Sequence, residues 1–151
     1  MIEPSGLQDL LGRWWFSYDE GHFDAMTSML TDDVHVTCRT DTPDVAWAEF
    51  ATADDRGRDE VMRWQVEHRR NSPYPLRHHG TNLHLVEQQG DEATFASYIL
   101  VTQVVDEMPS PIPGGIVTGT VRRDAEGVLR IAALHIVLDT MTSDVFANVR
   151  G

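Results

Sequence analysis

Of the seven histidines in this chain, the adjacent pair His78 and His79 offers the plainest opening for chemistry. Imidazole is the side chain that changes protonation near neutral pH without large perturbation. The pair sits in Arg77-His78-His79-Gly80-Thr81-Asn82, a segment that reads as strand. Strand side chains alternate between faces, so one imidazole can face an interior while the other faces out; a one-residue slip of register exchanges them. The same alternation argues against a metal. His78 and His79 cannot converge on one ion from a regular strand, and His78 and His84 share a face but lie roughly 20 Å apart at about 3.3 Å per residue. No His-x-His or His-Glu-x-x-His spacing occurs. The chemistry open to such residues is proton transfer, with an imidazole as general base or acid.

Other polar candidates are Tyr18, Tyr98, Asn82, His35 and His135. Tyr98 either donates to a substrate oxygen or is a core residue with a wet hydroxyl. His135 interrupts the apolar run Ile131 to Leu138, and either lines a pocket or sits at a dimer interface. His35 reads as structural. The first half carries Trp14, Trp15, Trp47, Trp64, Phe23 and Phe50, an aromatic load that packing explains by default. Some of these rings are expected to line a cavity suited to a flat, hydrophobic ligand.

The elements that must position these residues change character at mid-chain. Ser5 is a candidate N-cap, Leu7, Leu11, Trp14 and Tyr18 follow at helical spacing, and Gly21 is placed to end the helix. A short second helix is expected from His22 to Leu30, then a strand from Val34 to Arg39. Residues 40–56 read as loop. A third helix begins near Arg58 and stops before Asn71-Ser72-Pro73, with Val61, Trp64 and His68 on its inner stripe. Four strands follow: Leu76 to Glu87, Glu92 to Val105, Gly115 to Asp124 and Val128 to Leu138, with hairpin turns at Gln89-Gly90-Asp91 and Asp124-Ala125-Glu126-Gly127. Pro109, Pro111 and Pro113 cannot donate to a ladder, so Asp106 to Gly114 is expected to be a loop at a pocket mouth. Helices followed by an antiparallel meander give an α+β architecture, with helices over one face of a twisted sheet and a cavity between them.

The 151 residues fit one domain spanning 1–151, large enough to fold without disulfides, and Cys38 has no partner for one. Acidic residues outnumber basic ones 24 to 12, a formal charge of −12 that repels phosphate backbones and anionic headgroups. Nucleic acid and membrane are therefore not expected partners. Neither a signal-peptide pattern nor a spanning apolar run is visible, and a cytoplasmic location is the expectation.

Particular residues then carry a resemblance. Tyr18-Asp19-Glu20-Gly21-His22-Phe23-Asp24, followed by Leu30-Thr31-Asp32-Asp33-Val34, resembles the opening of SnoaL-like proteins of the nuclear-transport-factor-2-like superfamily. There the first helix ends in an Asp-x-Gly-Asp-Phe type turn, and His22 stands where that pattern has Asp. Arg77-His78-His79-Gly80-Thr81-Asn82 is similar to the family's Arg-His-x-x-x-Asn strand, and Ala96-Ser97-Tyr98 and Glu126 to Ile131 resemble its later strands. The likeness runs from about Leu7 to Asp139.

The resemblance implies a cone-shaped α+β barrel, with N-terminal helices on a strongly curved, mainly antiparallel sheet enclosing a pocket. It implies a cofactor-independent lyase, isomerase or cyclase acting on a small hydrophobic carbonyl compound, with His78 as acid–base residue and Asp19 as the carboxylate that orients it. Trp14, Tyr18, Tyr98, Asn82, His135 and His79 are the expected substrate-binding residues. No metal or cofactor is implied. A homodimer is expected, because the exposed sheet face in this superfamily often buries itself against a second copy. Trp14 departs from the pattern, standing where dehydratase relatives carry a tyrosine, and the strand 92–105 lacks their second His or Asp. A non-catalytic binding domain and an accessory β-subunit of a ring-hydroxylating dioxygenase are the alternatives.

Overall fold

The computed structural model describes residues 1–141. Three helices, α1 (Pro4–Glu20), α2 (Phe23–Ser28) and α3 (Arg58–Arg70), accompany six strands: β1 (Leu30–Thr40), β2 (Ala53–Arg56), β3 (Leu76–Gln89), β4 (Glu92–Val105), β5 (Met108–Arg123) and β6 (Leu129–Leu138). They form one sheet in the order β2-β1-β6-β5-β4-β3, in which only the β1–β6 pairing is parallel. The fold is α+β as expected. The sheet is curved and stays open, with β2 and β3 at its two edges, so the expected barrel is not closed.

Local chemistry sets the helix that matters most for the site. Pro4 occupies the first turn of α1, where its missing N–H costs nothing, so the helix starts before Ser5 and Ser5 is not its cap. Leu7, Leu10, Leu11, Trp14, Trp15 and Tyr18 form its buried stripe. Gly21 ends it in the left-handed conformation (φ 70°), with the Gly21 and His22 N–H groups donating to Tyr18 and Ser17 carbonyls. This stop leaves Asp19 in the last turn, buried.

Two strand expectations required correction. Residues 40–56 are not all loop: Ala53–Arg56 is a short strand against β1. The proline-bearing segment is not a loop but the first half of β5, joined to β4 by a tight turn with Asp106 and Glu107 at positive φ. Pro109, Pro111 and Pro113 alternate along it while it pairs with β4. The β6 register on the other side ends at Gly115–Leu138, so this half of β5 is an edge and a missing N–H there breaks no ladder.

Irregularities bend the sheet around the helices. Register shifts fall between Thr81 and His84 in β3, Ile99 and Val101 in β4, and Thr120 and Val121 in β5. Gly119 lies opposite Phe95, and a Cβ there would come within 2.7 Å of the Phe95 ring and 2.3 Å of the Ala133 carbonyl. Its absence lets Phe95 lie flat across the bend, 1% exposed.

Candidate functional site

The concave side of the sheet and helices α1 and α3 enclose a cavity of about 410 Å³. Trp14, Trp15 and Tyr18 of α1 and Trp64 of α3 form aromatic walls, and Ile99 and Val101 of β4 form the floor. The turn-rich segment 41–52 covers one side with Trp47 and Phe50, and Ile112 and Pro113 of β5 border it, so the proline segment does reach the cavity although it is strand. An apolar hollow with few polar groups has the make-up of a small-molecule pocket.

His78 and Asp19 meet at its wall. The Asp19 carboxylate, 4% exposed, accepts the His78 backbone N–H through Oδ2 (2.8 Å) and the His78 Nδ1–H through Oδ1 (2.6 Å). One carboxylate thus holds both the backbone and the ring of the same histidine. The imidazole lies parallel to the Trp15 indole (centroids 4.9 Å, 4°) and edge-on to Tyr18 (5.2 Å, 87°). With Nδ1 donating to Asp19, Nε2 of the neutral ring carries the free lone pair, and it has no partner among the described residues. An oriented imidazole with an available Nε2 beside an apolar hollow can take and return a proton.

A carboxylate in the last turn of a helix faces the negative end of the helix dipole. The structure answers this from α3. Arg69, 7% exposed, donates Nε (3.0 Å) and a terminal nitrogen (2.8 Å) to the Asp19 carbonyl, and its other terminal nitrogen to Pro73 (3.1 Å). On the surface, Arg77 pairs with Glu20 at 2.8 Å, tying the end of α1 to β3 beside the buried pair.

The remaining expected residues divide. Trp14 and Tyr18 line the cavity. His79 faces the other side of β3, exposed, and bonds Thr102 Oγ1 on β4 (3.0 Å), so His78 is the member of the pair turned inward. Tyr98 is 54% exposed on the outer face, and the structure does not bring it to the cavity. Asn82 is exposed with φ 57° inside the β3 bulge, on an open groove between α1 and β3; there it shapes the strand. His135 bonds Thr37 Oγ1 (2.8 Å) and stacks edge-on to His35 (5.2 Å), also off the cavity, because position 135 alternates with the inward Leu134 and Ile136. His35 bonds Asp54 (2.7 Å).

The residue that the spacing did not mark as chemical is His68. It lines the cavity, its Nδ1 lies 2.5 Å from the Tyr18 hydroxyl, and its ring is sandwiched between Trp64 (4.4 Å, 18°) and Phe50 (4.4 Å, 24°). Burial, with the nearby His78 and Arg69, holds its pKa down to about 4. Burial also raises the Tyr18 phenol well above its ordinary range and the Cys38 thiol to about 12. The available signal was a polar side chain on an otherwise apolar helix stripe, one turn beyond Trp64. No group of His, Cys, Asp and Glu among the described residues has the arrangement of a metal site.

Helices packed on a curved sheet of this kind also make up the fold of NTF2-like proteins described as having a cystatin-like fold. One such protein from Novosphingobium aromaticivorans superposes with a TM-score of 0.75 at 17% identity, over 97% of this chain and 88% of that one. The chain belongs to the SnoaL-like domain family, whose profile matches residues 5–135. A protein provisionally assigned as a scytalone dehydratase, from the same bacterium, is similar at TM-score 0.69 and 18% identity, over 93% of this chain and 85% of that one. The β subunit of a provisionally assigned aromatic-ring-hydroxylating dioxygenase, again from that bacterium, is similar at 0.71 and 14%, over 91% and 90%. At these identities the likeness is one of fold. No curated protein matches the sequence.

Proposed function

We propose that this protein is a cofactor-independent lyase, isomerase or cyclase that acts on a small hydrophobic carbonyl compound through His78 and Asp19. The observation that carries the reading is the two-point clamp of Asp19 on His78 at the wall of an apolar cavity. In the reaction, His78 Nε2 takes the hydrogen α to the substrate carbonyl as a proton, and the C–H electron pair forms the enolate. Asp19 stabilises the imidazolium. The imidazolium then returns the proton to the same carbon, to another carbon, or to a departing hydroxyl, which leaves as water. These three outcomes are exchange, isomerisation and dehydration. The aromatic walls favour flat, polyketide- or steroid-like ring systems.

The test needs no knowledge of the natural substrate. In D2O, the protein should accelerate exchange of the α-hydrogens of 2-tetralone, followed by proton NMR. His78→Ala should lower that rate by about 10²-fold or more while the fold and ring binding persist. Undiminished exchange in a folded His78→Ala protein would eliminate the assignment.

A second reading, a non-catalytic binding domain, is favoured by β4, which gives the cavity Ile99, Val101 and Gln103 but no acid or base. Saturable ring binding with no exchange or product would establish it. The likeness to a dioxygenase β subunit supports a third, accessory role; a neighbouring gene for an iron–sulfur oxygenase subunit would point to it. A homodimer formed through the outer sheet face completes the proposal.

A further inference from the structure

Two imidazoles share one tyrosine at the cavity wall, and the proposed reaction uses only one of them. The Tyr18 ring lies 5.2 Å from His78 and 6.1 Å from His68. His68 cannot turn freely, because Trp64 and Phe50 stack on its two faces. Its Nδ1 meets the Tyr18 hydroxyl at 2.5 Å. Burial keeps that phenol protonated and that imidazole neutral at physiological pH, so the bond joins a neutral O–H and a neutral ring. When the phenol gives its one hydrogen to Nδ1, the single hydrogen of the imidazole resides on Nε2. Nε2 has no partner among the described residues, and the residue lines the cavity. His78 is the complement: its Nδ1–H is committed to Asp19, so its Nε2 accepts.

We propose that His68 is the hydrogen-bond donor of the cavity, locked by Tyr18 with its hydrogen on Nε2, and that it donates to the oxygen of an uncharged hydroxy- or oxo-substituted fused-ring ligand whose acidic hydrogen faces His78. The inference rests on the proposed ligand class but not on turnover. A neutral donor suits this place, because a cation held in an apolar hollow would cost more than it returned until charge developed on the ligand. Arg69, the neighbouring guanidinium, is engaged with the Asp19 and Pro73 carbonyls and does not line the cavity. Of the two imidazoles at the cavity one accepts and the other donates, beside the uncharged Gln103 amide and aromatic walls, and the cavity should select neutral phenols and ketones over carboxylates.

Binding of 2-naphthol and of naphthalene to the whole protein, by tryptophan fluorescence, separates the hydrogen bond from ring burial. His68→Phe keeps a ring between Trp64 and Phe50 and removes the N–H. It should weaken 2-naphthol about tenfold and leave naphthalene within about twofold, while His68→Gln, which retains an N–H donor, should recover part of the loss. Nitrogen-15 NMR of the wild-type protein should show the His68 hydrogen on Nε2, and Tyr18→Phe should release that preference. Equal loss for both ligands, no loss in folded His68→Phe, or a hydrogen on Nδ1 in the wild type would each overturn the proposal; the wild-type tautomer decides alone if His68→Phe does not fold. Naphthol selectivity that follows His68 without ketone exchange would sink the reaction and leave this inference standing. Failure of the wild type to bind either ring compound would sink both.

Discussion

Replacing Asp19 by Asn preserves the size of the clamp and reverses half of its chemistry. The amide can accept from the His78 backbone N–H, but its NH2 then faces Nδ1 and drives the imidazole hydrogen to Nε2, the wrong tautomer for a base. Asp19→Asn should therefore reduce 2-tetralone exchange by about 10²- to 10⁴-fold with little loss of 2-naphthol affinity; a rate within threefold of wild type would show that the carboxylate does not orient His78. His68 makes a separate prediction about pH. Its folded pKa, about 4, lies below its ordinary 6.5, so the unfolded chain binds the proton first. The associated stability is present above about 6.5 and is lost as pH falls from there toward 4, on the order of 1–2 kcal/mol after allowing for partial solvent access. Urea midpoints at pH 7.5, 6 and 4.5 should show this increment in wild type and not in His68→Phe. Asp19 and His78 were legible in the sequence because they stand in short patterned segments, whereas His68 was not, since helical spacing gave it only a place on a stripe. The contacts that set it apart come from three places: Tyr18 at one nitrogen from α1, Phe50 on one face from the 41–52 segment, and Trp64 on the other face from one turn earlier in α3.

The junction of α1 and α3 is where helix packing becomes site geometry. Arg69 reaches across it to hold the Asp19 carbonyl, so it acts on the Asp19–His78 pair only through the end of α1. Arg69→Met keeps much of the apolar stem and removes all three hydrogen bonds, two of them to the carbonyl of the buried Asp19. Stability should fall by about 2–3 kcal/mol, and the melting temperature by roughly 5–10 °C. Ketone exchange, measured well below that temperature, should fall several-fold while ring binding persists; a melting temperature unchanged within 1–2 °C would show that the α1 terminus is held by other means. Elements with long periodic patterns were readable in advance: α1 with its Gly21 stop, α3 from Arg58, and the β3–β4 and β5–β6 hairpins all lie close to their expected places. Ala53–Arg56 was not, because Ala-Asp-Asp-Arg has low strand propensity and forms only as a charged edge against β1. The first half of β5 was hidden by a rule applied without its condition. Proline excludes a central strand position, and this stretch has a neighbour on one side only.

At the scale of the molecule, β4 is apolar on both of its faces. Phe95, Ile99 and Val101 point into the core, while Tyr98, Leu100 and Val104 are 54%, 46% and 47% exposed on the other side. Ile116 pairs with Tyr98 across the β4–β5 ladder, so the outward patch spans two strands and carries no charge of its own. A strand of this kind belongs in a sheet covered on both sides. A second copy of the chain is the cover proposed above, and the net charge of −12 gives it a signature. Two such molecules repel at long range while their patches attract on contact, so added salt should strengthen the association, the reverse of what an interface built on ion pairs would do. Sedimentation velocity at tens of micromolar should show a dimer whose dissociation constant falls between about 20 and 300 mM salt. Leu100→Arg, which puts a charge at the centre of the patch and leaves the cavity untouched, should give a folded monomer that still binds 2-naphthol. A wild-type protein that sediments as a monomer at both salt concentrations would remove the second copy from the proposal, and the outer face of β4 would then need another partner to account for its side chains.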